Sequence, residues 1–146
     1  MAEADPFNLQ RFVDAQAPVI NRVRQELLDG RKASHWMWFV FPQIEGLGFS
    51  SMAIRFAISS CAEAVAYLAH PILGSRVRDL TAVVNGVPGR SAYEIFGSPD
   101  DLKFRSCLTL FNRVTPDEAL FRQALEQYFG GQGDPATLDR LRGATA

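Results

Sequence analysis

The chain has 146 residues, 47% of them hydrophobic and 11% aromatic, enough apolar material to bury one core without disulfides and unlike the composition of a disordered chain. Fifteen Lys and Arg stand against sixteen Asp and Glu, scattered along the sequence, which disfavours a nucleic-acid backbone or an anionic membrane as partner. Cys61 and Cys107 sit in apolar surroundings, and two Cys with two His and no CxxC or HxxxH spacing point to reduced thiols and to neither a metal site nor a cofactor.

The start, MAEADPFNLQRF, lacks the basic and apolar regions of a secretion signal. No apolar run approaches the roughly 20 residues that cross a bilayer, so a cytoplasmic location is expected. Asp5-Pro6 pairs a capping acid with a residue suited to the first helical turn. The apolar positions Phe7, Phe12, Val19, Val23 and Leu27 then predict a long helical region, broken at Pro18 and ended at Gly30.

From Trp36 to Phe41 every residue is apolar, so periodicity alone does not separate a buried helix from a buried strand; helix is favoured because helices surround it. The loop GLGFSS follows and opens another helix with a Ser cap. Capping boxes are predicted at Ser60/Glu63, Ser91/Glu94, Ser98/Asp101 and Thr115/Glu118. Leu73, Val77, Leu80 and Val84 mark one stripe of a helix between Pro71 and Gly86. Phe104, Cys107, Phe111 and Val114 mark the next, and Leu120, Phe121, Leu125, Tyr128 and Phe129 the one after. Asp134-Pro135 opens a short tail helix around Thr137 to Leu141.

These elements predict an all-α fold, a single-domain irregular helical bundle over residues 1–146 with a buried aromatic helix or segment at 35–41 and frayed ends at 1–4 and 143–146. Any β structure is expected to be no more than a short hairpin.

Candidate functional residues cluster at the edges of two runs. Trp36 and Trp38 either fill the core or wall a ligand pocket, since an indole offers a flat face and one N–H donor. Polar residues flank them: Arg31, Lys32 and His35 before, Gln43, Glu45, Gly46 and Gly48 after. Gly48 and Ser50 lie where a helix start could hold a phosphate or carboxylate, against the plainer reading of a capped turn. In SPDDLKFRS, Asp100 and Asp101 suit a first helical turn, and Asp100 to Lys103 suits an i,i+3 surface pair. The functional reading instead puts Asp101, Lys103 and Ser106 at the mouth of a cavity walled by the tryptophans with His35 opposite. His35 and Asp101 would then serve acid–base chemistry and Lys103 an anionic ligand. His70, before Pro71, is expected to cap or pack.

The runs GRKASHWMWFVFPQIEGLGFSSMAIRFAI, AYLAHPILGSRVR and EIFGSPDDLKFRSCLTLF resemble a bacterial family of uncharacterised single-domain proteins, sometimes labelled "calpastatin", over Asp5 to about Leu141. The resemblance implies a mainly helical domain and no established activity. The label fits poorly, because calpastatin-type inhibitors are long, polar and disordered.

Two functional classes follow. One is a pocket for an anionic, nucleotide-like or ADP-ribose-like small molecule. The other is a protein–protein interaction module with an apolar groove and no catalytic activity. A closed cavity lined by Trp36, Trp38 and polar groups favours the first, an open apolar stripe the second. The oligomeric state is left open by the sequence.

Overall fold

The first helix is capped from outside itself. The Asp5 carboxylate accepts from the backbone N–H groups of Leu9 (2.7 Å) and Gln10 (3.0 Å), satisfying donors that a helix start leaves free. The computed structural model of the protein describes residues 4–142, so the fraying expected at 1–4 and 143–146 lies, but for residue 4, outside the described residues.

Helix α1 (Gln10–Gln16) stops just before Pro18 and α2 (Ile20–Leu28) begins just after it, as a ring without an N–H requires. Gly30 ends α2 in the left-handed region at φ +72°, and a Cβ there would meet Val87 Cγ1 at 3.0 Å, so both backbone and space call for glycine. The apolar run forms one helical turn, α3 (Met37–Val40). The short α4 (Ser51–Arg55) is capped by Ser50, whose Oγ accepts from Ala53 N–H at 3.1 Å. A pair of backbone hydrogen bonds, Ile58 N–H to Gln43 O (2.8 Å) and Glu45 N–H to Ile58 O (2.9 Å), pins the two ends of the segment carrying α4. Those bonds make the isolated Ile44–Ile58 bridge, the β pairing found among the described residues.

Beyond it come α5 (Cys61–Ala69), α6 (Leu73–Asn85), α7 (Ala92–Phe96), α8 (Asp100–Val114), α9 (Ala119–Phe129) and α10 (Pro135–Arg142). The expected stripes are buried: Leu73, Val77, Leu80 and Val84 in α6, Phe104, Cys107 and Phe111 in α8. Helix α8 packs against α5, α7, α9 and α10, and α2 packs on α6. The fold is all-α, and among the described residues no helix is long and apolar enough to cross a membrane.

The caps divide. Ser91/Glu94 forms the full reciprocal box, and Asp134 Oδ2 accepts from Thr137 N–H and Oγ1. His70 Nδ1 accepts from the N–H groups of Ile72 (3.1 Å) and Leu73 (3.2 Å), so its ring caps the start of α6. Ser60 serves Glu63 N–H, but the Glu63 carboxylate turns to Ser59 and Arg11. The Ser98/Asp101 box does not form, because Asp101 N–H is taken by Gly97 O at 2.8 Å. Nor does Thr115/Glu118: the Thr115 hydroxyl donates back to Phe111 O (2.7 Å), closing α8, and Glu118 pairs with Arg78 at 2.9 Å. Backbone carbonyls and a distant arginine outcompete the local side chains there.

The aromatic turn is held by polar groups on the first two helices. Gln16 Nε2 donates to Phe39 O (2.6 Å) and to the Tyr67 hydroxyl (3.2 Å). The buried Glu26 carboxylate accepts from Ala33 N–H (2.8 Å), Ser34 N–H (3.1 Å), Ser34 Oγ (2.6 Å) and Trp36 Nε1 (2.9 Å). Burial pushes this carboxyl up, but the hydrogen bonds outweigh it and hold it below the ordinary glutamate value.

Two outcomes follow for stability. Trp36, 1% exposed, should lose about 3–5 kcal/mol on Trp36→Ala in denaturant unfolding; a loss below about 1 kcal/mol would contradict its burial. Because the folded Glu26 carboxyl is depressed, its contribution is present above the unfolded-state value of 4.5 and is lost as pH falls through the folded value. Glu26→Gln should therefore cost about 1.5–3 kcal/mol at pH 7 and flatten the acid limb of the stability curve, and an unchanged limb would assign the acid sensitivity to other carboxylates.

Candidate functional site

The two distinctive runs meet in the core. Phe41 packs edge-on against Phe104 (centroids 5.0 Å apart) and Phe96 (5.9 Å), and Phe96 stacks on Phe104 at 4.6 Å. This web seats α3 beside the first turns of α8 and leaves a cleft of about 420 Å³ between α8 and the pinned segment around α4. Met37, Phe41, Ile44, Leu47 and Phe56 make its apolar walls, while Gln43, Gly48, Ser50, Lys103, Ser106 and Asp134 bring polar groups. Gly46, on the same lining, has φ +93°, and the Arg140 side chain occupies the place a Cβ would take. Glycine is thus required both by the turn and by the docking of α10.

A second cavity, also about 420 Å³, lies beyond Trp38 and is lined by Lys32, Ser34, His35, Phe96, Asp100 and Lys103 among others. Trp38 and Lys103 line both spaces. The Lys103 ammonium stands 5.1 Å from the Trp38 ring centroid, a cation–π contact that makes the pair a common wall. Lys32 Nζ lies 5.1 Å from the Trp36 centroid and 2.9 Å from Asp100 Oδ2, and Lys103 Nζ is 3.5 Å from Asp100 Oδ1. The i,i+3 pair expected from the spacing is present, with Lys32 joining from the other run.

Of the nine residues singled out from the sequence, Trp38, Gln43, Gly48, Ser50, Lys103 and Ser106 line the first cleft, and His35 lines the second cavity with Trp38 and Lys103. Two residues fall elsewhere. Trp36 lines neither space: its ring is in the core and its N–H is committed to Glu26. Asp101 lines neither as well, because one step along a helix turns a side chain by about 100°, and it is Asp100 that faces the second cavity. The Asp101 Oδ1 atom is instead buried without a hydrogen-bond partner among the described residues. His35 and Asp101 therefore do not form the acid–base pair expected of them.

Lys32 and Asp100 were the residues that local reading undervalued. Lys32 reads only as one of the polar flanks of the aromatic run and Asp100 as a first-turn acid paired with Lys103, and their meeting depends on α8 packing beside the loop before α3. Pro99 and Leu102 on the first cleft could have been found, since they share a helical face with Lys103 and Ser106. Elsewhere, Cys107 is buried and its thiol is pushed well up by that burial, which removes it as a nucleophile. Among the described residues no group of three or more His, Cys, Asp or Glu side chains converges to hold a metal.

The arrangement resembles that of one solved structure. The crystal structure of the conserved hypothetical protein Rv1873 from Mycobacterium tuberculosis is 54% identical to this chain, covers 94% of it and 99% of its own length, and superposes with a TM-score of 0.93. A search of curated proteins finds no match. Neither the crystal structure's description nor that of the matching family mentions calpastatin. Residues 6–141 match the model of the family described as "Protein of unknown function (DUF1810)", and the chain belongs to that family.

Proposed function

We propose that the first cleft binds an anionic small molecule carrying a flat ring, a nucleotide-like ligand. The carrying observation is the shared wall: the half-buried Trp38 indole, with the Lys103 ammonium over it, gives one surface able to stack a ring and to attract negative charge. Apolar side chains from α3, α4 and α8 supply the rest of the enclosure, and the Gln43 amide and Ser106 hydroxyl supply orientation. The reading is one of binding. Asp101 lines neither space, and the carboxylate that shares a cavity with His35, that of Asp100, is paired with Lys32 and Lys103, so no reaction is assigned.

A second reading draws on different residues. Phe49 is 85% exposed, and Leu102, also exposed, lines the same cleft. An apolar rim of this kind suits a peptide laid along a groove, as an interaction module would require.

A thermal-shift and tryptophan-fluorescence screen against nucleoside phosphates and sugar phosphates separates the two. The expected outcome is a ligand that raises the melting temperature and changes Trp fluorescence. Trp38→Ala should then weaken it by about 1–3 kcal/mol, the usual worth of one stacked base, and Lys103→Ala should weaken it further in proportion to ligand charge. If Lys103→Ala keeps full affinity for the ligand found, or if no such compound binds, the cleft is not this site and the peptide-groove reading replaces it.

A further inference from the structure

The second cavity holds more positive charge than its own ion pairs neutralise. Lys32 and Lys103 share the single carboxylate of Asp100, so the three side chains together carry one net positive charge, and His35 lines the same cavity. The Lys32 side chain is only 8% exposed. A cation so far removed from water needs full compensation from nearby negative charge, and the carboxylate it meets is divided with a second lysine. Neither the buried Glu26 carboxylate, which is bound to Ala33, Ser34 and Trp36, nor Asp101 lines the cavity. The indole faces under the two ammoniums offer cation–π attraction but no net charge.

We infer that this cavity is a phosphate seat, bound by Lys32 and Lys103 with His35 at its edge, and that Asp100 holds the two lysines in place and competes with the incoming anion. Its donors are compact ammonium groups arranged around a space. They are not the planar forks of arginine, so they suit a tetrahedral oxyanion better than the flat bidentate carboxylate that arginine matches. The seat adjoins the first cleft across Trp38 and Lys103. The ligand class this selects is a phosphomonoester or diphosphate whose phosphate lies on the His35 side and whose ring lies on the Phe41 side. The placement of the ring rests on the cleft reading above; the seat itself rests on the lysines.

The test uses inorganic phosphate as probe, followed by ³¹P line broadening and calorimetry at low ionic strength, with acetate as control. Saturable phosphate binding that weakens with added salt is expected, with acetate at least about tenfold weaker. Lys32→Met, which keeps the buried stem, and Lys103→Met should each weaken phosphate about tenfold or more. Asp100→Asn should tighten it about three- to tenfold by removing the internal competitor, an effect that a merely structural carboxylate would not produce. Absence of phosphate binding in both the parent protein and Asp100→Asn overturns the seat, as does equal binding of acetate or indifference to both lysine substitutions. Ala136, an exposed residue that lines the first cleft and not the second cavity, gives the control: Ala136→Trp should leave phosphate binding unchanged. Phosphate binding without any ring-bearing ligand defeats the cleft reading alone, whereas a ring-bearing ligand indifferent to Lys32→Met, with no phosphate binding, defeats the seat alone.

Discussion

Everything near the two cavities depends on where the Glu26 carboxylate sits. It accepts from the backbone of residues 33 and 34, from the Ser34 hydroxyl and from the Trp36 indole, so one buried charge ties the end of α2 to the loop that carries Lys32 and His35. Four hydrogen bonds offset the desolvation of the carboxylate and leave it ionised. The loop has no regular secondary structure of its own from residue 31 to 33. Backbone carbonyls take the N–H groups of Arg31 and Lys32, and without Glu26 those of Ala33 and Ser34 would be unpartnered on a partly buried surface, a situation folded proteins avoid. Gln16 does the corresponding task on the other side of α3, taking the Phe39 carbonyl. A single helical turn is too short to stand alone, and these two side chains supply what its length does not.

Around these anchors the aromatic residues form two webs of ring contacts. Trp36 leads to Phe41, Phe41 to Phe96 and Phe104, while Phe39 leads through Phe56 and Phe12 to Tyr67 and Phe111. Rings in edge-on and offset contact define relative positions more sharply than aliphatic side chains, because each has few rotamers and a directional quadrupole. That rigidity lets α3 and α8 present side chains toward shared spaces without a ligand to organise them. It also explains the division of labour between the tryptophans: Trp36 belongs to the first web and the Glu26 anchor, whereas Trp38, two residues on, points to the opposite side of the turn and walls both cavities.

The balance of charge across the chain conceals a local imbalance. Fifteen basic and sixteen acidic residues give a net charge of −1, yet the second cavity gathers two lysines and a histidine against one aspartate. Elsewhere basic residues are consumed structurally. Arg11 binds Glu63 and the carbonyls of Phe7, Asn8, Arg55 and Ala57, and Arg78 binds Glu118 and Leu68 O. Net charge is therefore a poor guide to whether a fold holds a site for anions, since what matters is which cations remain under-neutralised in a concave space.

The helical class, the break at Pro18, the stripes of α6, α8 and α9, and the caps at Ser91 and Asp134 were all legible in the sequence, whereas Asp5 caps a helix that begins only at Gln10 and not at Pro6. Each depends on residues within a turn or two of one another, where spacing and side-chain chemistry act directly. Contact between the two aromatic runs was legible too, because large apolar faces have to be buried against each other. What local pattern did not decide was competition and angle. Thr115 and Glu118 had capping chemistry but found better partners in Phe111 O and Arg78, and both tryptophans looked alike until Glu26, ten residues earlier, took the indole N–H of one. Asp100 and Asp101 were equivalent as helix-start acids; only the docking of α8 against the loop before α3 turned the first toward Lys32 and the second away. Secondary structure is set by neighbours along the chain, whereas the cavity and its charge are set by which of several chemically equal side chains the packing of distant helices happens to face inward, and that selection is made by tertiary structure alone.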